Sequence, residues 1–167
     1  MGIEIERKFR VAGEGWREAA AKSVRMAQGY INDMAALREG RQNASVRVRI
    51  AGDQAFLNLK SRELGHTRQE FDYPIPVADA EALLALCVGG RIDKLRHYVE
   101  HAGHTWEVDE FFGDNAGLVV AELELASAEE AFERPAWLGR EVTEEPRFYN
   151  LALAERPYSR WDAEEKA

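Results

Sequence analysis

Apolar and charged residues alternate in short runs along much of the chain, and turn signals such as Gly89-Gly90 separate the runs. Because successive side chains of a β-strand point to opposite sides, each run predicts a strand with one apolar and one charged side. Eight strands are predicted in this way, near residues 2–10, 27–33, 45–51, 54–61, 67–75, 91–100, 103–112 and 118–126. Several runs are joined by short loops, so we expect the strands to pair mostly antiparallel.

Three other segments carry the pattern of amphipathic helices. They cover residues 15–25, residues 78–88 and a C-terminal helix at about 146–156, which begins at Pro146. The apolar stripes of these helices need a surface to pack on, and the apolar sides of the strands provide it. No repeat or Pro/Gly/Ser-rich linker interrupts the pattern, which predicts one domain over residues 1–167.

The charged sides of the predicted strands are sorted by sign. Acidic residues dominate the first strand and the last two, whereas basic residues dominate the third, fourth and sixth. An ordinary half-exposed sheet is the alternative for each single strand, but such a sheet has no need for this sorting. With helices on the apolar outside, the charged sides face inward, and about eight strands enclose room for one small ligand. The sequence therefore predicts an α+β fold, a closed eight-stranded antiparallel β-barrel with a charged lumen and helices packed on the outside.

Five carboxylates of this predicted lumen are candidate metal ligands: Glu4, Glu6, Asp109, Glu122 and Glu124. Carboxylates at positions i and i+2 of adjoining strands offer the hard oxygen ligands that Mg²⁺ or Mn²⁺ prefers. Because five carboxylates are more than one Mg²⁺ normally takes, we expect two ions per active site. The alternative for Asp109, and more so for Glu70 and Glu107, is that the acid only pairs with Arg or Lys.

Seven basic residues share the same predicted side: Lys8, Arg47, Arg49, Lys60, Arg68, Lys94 and Arg96. Guanidinium forks and ammonium groups suit phosphate oxygens. So many bases need several phosphates in a row, which favours a linear triphosphate over a monophosphate as the ligand.

The overall composition limits the classes of function. A net charge of −8 argues against a generic nucleic-acid binder, which is usually basic. The start lacks a signal-peptide pattern, no run is long enough for a membrane helix, and Cys87 is the only cysteine, so we expect a cytoplasmic protein without membrane partners. Motifs of P-loop, dinucleotide-binding and HExxH proteins are absent. A monomer and a homodimer both stay open.

The segment EIERK at 4–8 resembles the ExExK signature of the CYTH domain, the triphosphate tunnel metalloenzyme superfamily. The resemblance covers nearly the whole chain and continues in order through QGYI (28–31), VRVRI (46–50), LNLKS (57–61), EFDYPIP (70–76), DKLRHYV (93–99), WEVDEF (106–111) and LVVAELEL (118–125). ExExK alone is a weak pattern, but in order with the later RxR, K, KxR and ExE it is quite specific. The C-terminal helix, with its YN pair, is similar to that of small bacterial members that favour inorganic tripolyphosphate.

By position, the resemblance implies that Glu4, Glu6, Glu122 and Glu124 hold metal, with Asp109 in support. The bases that it assigns to the triphosphate are Lys8, Arg47, Arg49, Lys60, Lys94 and Arg96, while Arg68 matches less closely. Tyr30, in the QGY segment, either donates a hydrogen bond into the lumen or packs there. The catalytic set expected from this match comprises Glu4, Glu6, Lys8, Tyr30, Lys94, Glu122 and Glu124.

The activity that this set predicts is metal-dependent hydrolysis of a triphosphate chain, with inorganic tripolyphosphate yielding pyrophosphate and phosphate. The superfamily also contains thiamine triphosphatases and CYTH-type adenylate cyclases, which are alternatives, although no residue clearly marks the nucleoside pocket that a cyclase needs. A non-catalytic protein that binds polyphosphate or nucleotide is the alternative from a different class. The wall of carboxylates argues against that alternative, because a pure anion binder gains nothing from acidic residues.

Overall fold

The computed structural model of the chain describes residues 5–61 and 69–167, so Glu4 and Arg68 lie outside the described residues. Within these ranges, nine β-strands are β1 (Ile5–Val11), β2 (Ala20–Tyr30), β3 (Ala44–Ala51), β4 (Gln54–Ser61), β5 (Glu70–Ile75), β6 (Ile92–His101), β7 (His104–Phe111), β8 (Val119–Leu125) and β9 (Leu138–Glu141). The α-helices are α1 (Gly15–Ala19), α2 (Met34–Arg38), α3 (Val77–Leu84), α4 (Asn150–Glu155) and α5 (Ala163–Lys166). None of the described helices has the length and apolar character needed to span a membrane.

All nine strands belong to one sheet in the order β5-β4-β3-β2-β6-β7-β8-β1-β9, and each recorded pair is antiparallel. The antiparallel sheet with few helices agrees with the predicted architecture. One strand was not predicted: β9 pairs with β1, with Phe9 opposite Glu141. It spans four residues, too few for an alternating pattern to identify. Within the described ranges, the order of hydrogen-bonded strands ends at β5 and β9.

The predicted helix at 15–25 is a helix only in its first part, because the chain enters β2 at Ala20. Alanines at 19–21 suit either structure, and pairing of residues 20–25 with β6 favours the strand. Trp16 of α1 remains a packing residue and is 1% exposed. The predicted C-terminal helix is likewise shorter: a 3₁₀ turn at Pro146–Phe148 precedes α4.

The strand register places the predicted charged positions on one side of the sheet, since residues directly opposite in antiparallel strands share a side. Lys8 lies opposite Glu122, Arg96 opposite Asp109, and Tyr30 opposite Arg47. We call this side the ionic face, and its functional candidates among the described residues are Glu6, Lys8, Tyr30, Arg47, Arg49, Asn58, Lys60, Glu70, Asp72, Lys94, Arg96, Glu107, Asp109, Glu122 and Glu124.

The opposite side of the sheet is apolar and carries α1 and α3, as predicted. Trp16 of α1 packs in a buried cluster with Trp106, Leu123 and other side chains of β1, β6, β7 and β8. Leu84 of α3 packs against Val48 and further side chains of β2, β3 and β4. Burial of these side chains on one side of the strands leaves the other side for the charged residues.

The C-terminal segment, residues 146–161, takes a different place from the other helices. It buries Phe148, Leu153 and Trp161 against Ile92, Phe111 and Val120. Ile92 lies two residues before Lys94 in β6, and Val120 lies opposite Asp109, so this cluster is on the ionic face. The segment therefore covers one end of the ionic face, where apolar side chains replace the charged ones.

Candidate active site

Asp109 is the centre of a buried ion-pair network on the ionic face. Its side chain is 1% exposed and accepts from Lys94 Nζ at 2.6 Å and from Arg96 Nε at 2.7 Å and Nη2 at 2.9 Å. Burial alone would raise the pKa of this carboxyl group, but Lys94 and Arg96 lower the pKa below its ordinary value. Asp109 is therefore ionised and commits both oxygens to bases.

Glu122 extends the network toward β1. Lys8 Nζ donates to Glu122 Oε1 at 2.5 Å, and Arg96 Nη2 donates to Glu122 Oε2 at 3.2 Å. The Lys8 side chain is only 4% exposed; burial lowers its pKa, yet Glu122 and Glu6 raise it above the ordinary value overall. Lys8 thus stays charged deep in the fold because carboxylates surround it.

Glu107 is a third acid in contact with Arg96, whose Nη1 lies 2.5 Å from Glu107 Oε2. Burial raises the pKa of the Glu107 carboxyl group above its ordinary value, while Arg96 opposes that shift. Arg96 accordingly bridges three carboxylates from two strands. Its guanidinium has one fixed orientation, which suits a residue that must present positive charge at a defined position.

Tyr149 covers the Lys8 end of this network. Lys8 Nζ lies 4.4 Å from the centre of the Tyr149 ring, a distance typical of a cation–π contact. The Tyr149 hydroxyl donates to the backbone oxygen of Thr143 at 2.7 Å, which holds the ring in place. The YN pair pointed to this stretch of the chain, but the alternation pattern of the strands carries no signal for the contact.

The bases of β3 and β4 are held more loosely than those of β6. Arg49 lies 3.7 Å from Asp72, and Lys60 lies 3.5 Å from Glu70, with both bases more than a third exposed. In the described part of the chain, the buried Nε atoms of Arg47 and Arg49 have no hydrogen-bond partner. A buried donor without a partner is costly. An anionic ligand that reached these guanidinium groups would remove that cost.

Asn58 organises the acids that face these bases. Its side chain is buried, and Nδ2 donates to Glu70 at 2.8 Å and to Asp72 at 3.2 Å. The bond from Asn58, followed by the charge of Lys60, lowers the pKa of Glu70. Asn58 shares the alternating side of Lys60, but neutral amides carry no charge pattern, and sequence analysis gave it no role.

A cavity of about 350 Å³ adjoins the loosely held bases. Arg47, Asn58 and Lys60 line it from the strands, Tyr30 from the end of β2, and Arg38 and Leu151 from the helices. Tyr30 of the predicted catalytic set and the predicted binding residues Arg47 and Lys60 therefore meet at one space large enough for a small ligand.

The acids of β1 and β8 lie side by side on the ionic face. Glu6 is directly opposite Glu124, and Glu122 is the next residue of β8 on the same side. Their carboxylate oxygens are the donors that divalent Mg²⁺ or Mn²⁺ takes, so the residues present fit such an ion chemically. Among residues 5–61 and 69–167, no three Asp, Glu, His or Cys side chains are already gathered closely enough to hold one. Glu122 instead contacts Lys8, and Asp109 is fully used by Lys94 and Arg96.

Comparisons with known proteins agree with this architecture. The CYTH domain profile matches residues 2–158 of the chain. An inorganic triphosphatase of Acetivibrio thermocellus is 44% identical over 159 residues, covering 95% of this chain and 97% of that protein. An inorganic triphosphatase of Nitrosomonas europaea is 36% identical over 154 residues, covering 90% of this chain and 96% of that protein.

Solved structures give the same answer. The crystal structure of an inorganic triphosphatase superposes with a TM-score of 0.76 at 34% identity, over 92% of this chain and 95% of that one. A Hippeastrum protein studied as an adenylyl cyclase, with a dominant triphosphatase activity, superposes with a TM-score of 0.53 at 16% identity, covering 76% of this chain and 81% of that one. The second likeness concerns the fold alone. By profile, sequence identity and superposition, the chain belongs to the CYTH domain family.

Proposed function

We propose that this protein is a divalent-metal-dependent triphosphatase that hydrolyses inorganic tripolyphosphate to pyrophosphate and phosphate. The observation that carries the proposal is the ionic face, on which acids of β1 and β8 lie on the same side of the sheet as bases of β3, β4 and β6. The inorganic triphosphatases that resemble the chain over more than 90% of their length support this substrate. The substrate is a small molecule, and the single free cysteine accords with a cytoplasmic enzyme.

Glu4, Glu6, Glu122 and Glu124 are the proposed ligands of Mg²⁺ or Mn²⁺, with two ions per site. A bound divalent ion supplies charge neutralisation at phosphate oxygens and lowers the pKa of water. Asp109 supports the site differently: it holds Lys94 and Arg96 in place. Because Asp109 is already saturated by these two bases, we assign it this positioning role.

The bases bind and orient the phosphate chain. Arg47, Arg49 and Lys60 receive one part of the triphosphate, because two of them have unpartnered Nε atoms and the third is only weakly paired. Lys8, Lys94 and Arg96 present fixed positive charge to the other part. Tyr30, which lines the cavity with Arg47 and Lys60, donates a hydrogen bond to a phosphate oxygen. Arg68 is proposed as a further base.

Catalysis then follows from alignment and charge. A linear triphosphate held along the ionic face exposes a terminal phosphorus to in-line attack by water, while the bases stabilise the negative charge of the departing pyrophosphate. The C-terminal segment covers one end of the face and limits access of bulk water there. Fixed charges inside a partly closed site need little reorganisation during the reaction.

The test is an incubation of purified protein with tripolyphosphate, thiamine triphosphate or ATP, each with Mg²⁺, with Mn²⁺ and with chelator. We expect tripolyphosphate to be the best substrate, to give equal amounts of phosphate and pyrophosphate, and to be stable in chelator. Cyclic AMP from ATP would instead indicate a cyclase. Tight binding without any product would indicate a non-catalytic polyphosphate binder.

A further inference from the structure

Two cavities meet at the α2–α4 side of the ionic face. The inner cavity, of about 350 Å³, contains Arg47 and Lys60. The outer cavity, of about 460 Å³, opens toward Asp114 and Arg160. Among the residues that the structure describes, four line both cavities and so form the boundary between them: Tyr30, Met34, Arg38 and Glu155.

The two cavities differ in the sign of their charge. Leaving the boundary pair aside, the described lining of the inner cavity adds two bases, Arg47 and Lys60. The described lining of the outer cavity adds two acids, Asp33 and Asp114, and one base, Arg160. A polyanion is therefore attracted to the inner cavity and is disfavoured in the outer one, with Arg38 at the border.

Arg38 of α2 is paired with Glu155 of α4 across this border. The two side chains are 63% and 40% exposed, and an ion pair in such a position contributes only about 0–1 kcal/mol. The pair can therefore open at little cost. A phosphate oxygen entering the inner cavity is another anionic partner for the same guanidinium group, and Arg binds phosphate through charge-assisted hydrogen bonds.

We propose that Arg38 is a further substrate-binding residue. Its guanidinium breaks the ion pair with Glu155 and contacts the end of the triphosphate that occupies the inner cavity. Glu155 acts through Arg38. In the absence of substrate it holds the guanidinium at the boundary of the two cavities, and when substrate binds it competes with phosphate for that guanidinium. The inference rests on the proposed triphosphatase function and adds to it a binding residue from outside the sheet.

The first test compares Arg38→Ala with Arg41→Ala. Arg41 is a matched control, because it is 61% exposed, pairs with Glu39, and lines neither cavity in the described part of the chain. Loss of a charge-assisted hydrogen bond at a partly exposed site corresponds to a factor of about ten. We therefore expect the KM for tripolyphosphate to rise about tenfold in Arg38→Ala with little change in kcat. Arg38→Lys should recover part of the loss, and Arg41→Ala should match the wild type.

The second test uses Glu155→Gln. Because this substitution frees Arg38 from an exposed ion pair, it should lower the KM for tripolyphosphate by about two- to threefold. In the Arg38→Ala background the same substitution should have no effect, since Glu155 acts through Arg38. An equal effect of Glu155→Gln in the wild type and in Arg38→Ala would show that Glu155 only repels the substrate by its charge. That result would overturn the proposed competition between Glu155 and phosphate for Arg38.

The two proposals fail in different ways. A wild-type protein that cleaves no tripolyphosphate would refute the triphosphatase itself. An active wild type, with Arg38→Ala and Arg41→Ala indistinguishable in KM and in calorimetric affinity for tripolyphosphate, would refute only the role of Arg38.

Discussion

Asp109 joins two bases of the ionic face through a carboxylate that solvent scarcely reaches. Asp109 lies directly opposite Arg96 in the neighbouring strand, and the side chain of Lys94 forms a second ion pair with the same carboxylate. A buried base without this partner would be costly, so the acid makes the placement of both positive charges possible. Removal of one partner from a buried ion pair therefore lowers the free energy of unfolding more than removal of one partner from an exposed pair.

At this residue we predict that Asp109→Asn lowers the free energy of unfolding by about 3–5 kcal/mol at neutral pH. The pKa of Asp109 is lowered in the folded protein, from about 3.9 in the unfolded chain. Its stabilisation is thus complete above the unfolded pKa and is lost as the pH falls through the lower folded pKa. In urea unfolding, the difference in free energy of unfolding between the wild type and Asp109→Asn should be constant from about pH 7 to about pH 5 and smaller below about pH 4.

Asp72→Asn serves as the control, because Asp72 is 37% exposed and lies 3.7 Å from its basic partner. It should change the stability by less than about 1 kcal/mol. Equal effects of the two substitutions, or a difference that already declines between about pH 7 and about pH 5, would contradict the saturated, ionised state of Asp109.

Alternation along single strands was enough to predict which residues share the ionic face. Lys8, Arg96 and Glu122 lie there because a two-residue period fixes the side of a strand. The period does not fix the partner of each charge, since partners depend on register and on side-chain reach. The saturation of Asp109 and the contact of Tyr149 with Lys8 therefore required the three-dimensional structure.

Among the elements, the C-terminal segment depends on a close approach of backbone to backbone. The Gly90 N–H donates to the Ala154 oxygen at 2.9 Å, and a Cβ added at Gly90 would lie 2.6 Å from that same oxygen. No side chain can rotate to relieve this contact, so α4 would have to shift. The site of Gly90 is thus where the segment is fixed to the start of β6.

We predict that Gly90→Ala destabilises the protein by about 1–3 kcal/mol, measured by urea unfolding, through overpacking at this contact. Gly13→Ala is the matched control, because nothing lies within 4 Å of a Cβ at Gly13 and its φ is not positive. That substitution should stay within about 1 kcal/mol of the wild type. A neutral Gly90→Ala would mean that the C-terminal segment is not held at this distance.

The elements differ in how well the sequence predicts them. Strands with regular alternation, such as β3 and β4, were predicted at nearly the observed positions of Ala44–Ala51 and Gln54–Ser61. The region at 20–25 was predicted as helix, but it extends β2, because hydrogen bonds to β6 outweigh a weak helical preference. The short helix α2, which carries Arg38, was not predicted since five residues give little periodic signal.

For the whole molecule, the sheet separates two environments. Its apolar side packs under α1 and α3, and its ionic face holds the bases and acids together, apart from the end covered by the C-terminal segment. The sorting of charge by strand predicted this separation. It could not reveal that the C-terminal segment lies on the ionic face, because a short apolar stripe can pack on either side of a sheet.

The most direct measurement is anomalous diffraction from crystals grown with Mn²⁺ and tripolyphosphate. We predict a manganese peak among the carboxylates of Glu6, Glu122 and Glu124, within about 2.3 Å of their oxygens, with the phosphate chain against Arg47, Arg49 and Lys60. Manganese found only outside the ionic face would contradict the account. The acids Glu141, Glu144 and Glu145, which share a separate surface cavity, are the obvious place for that result.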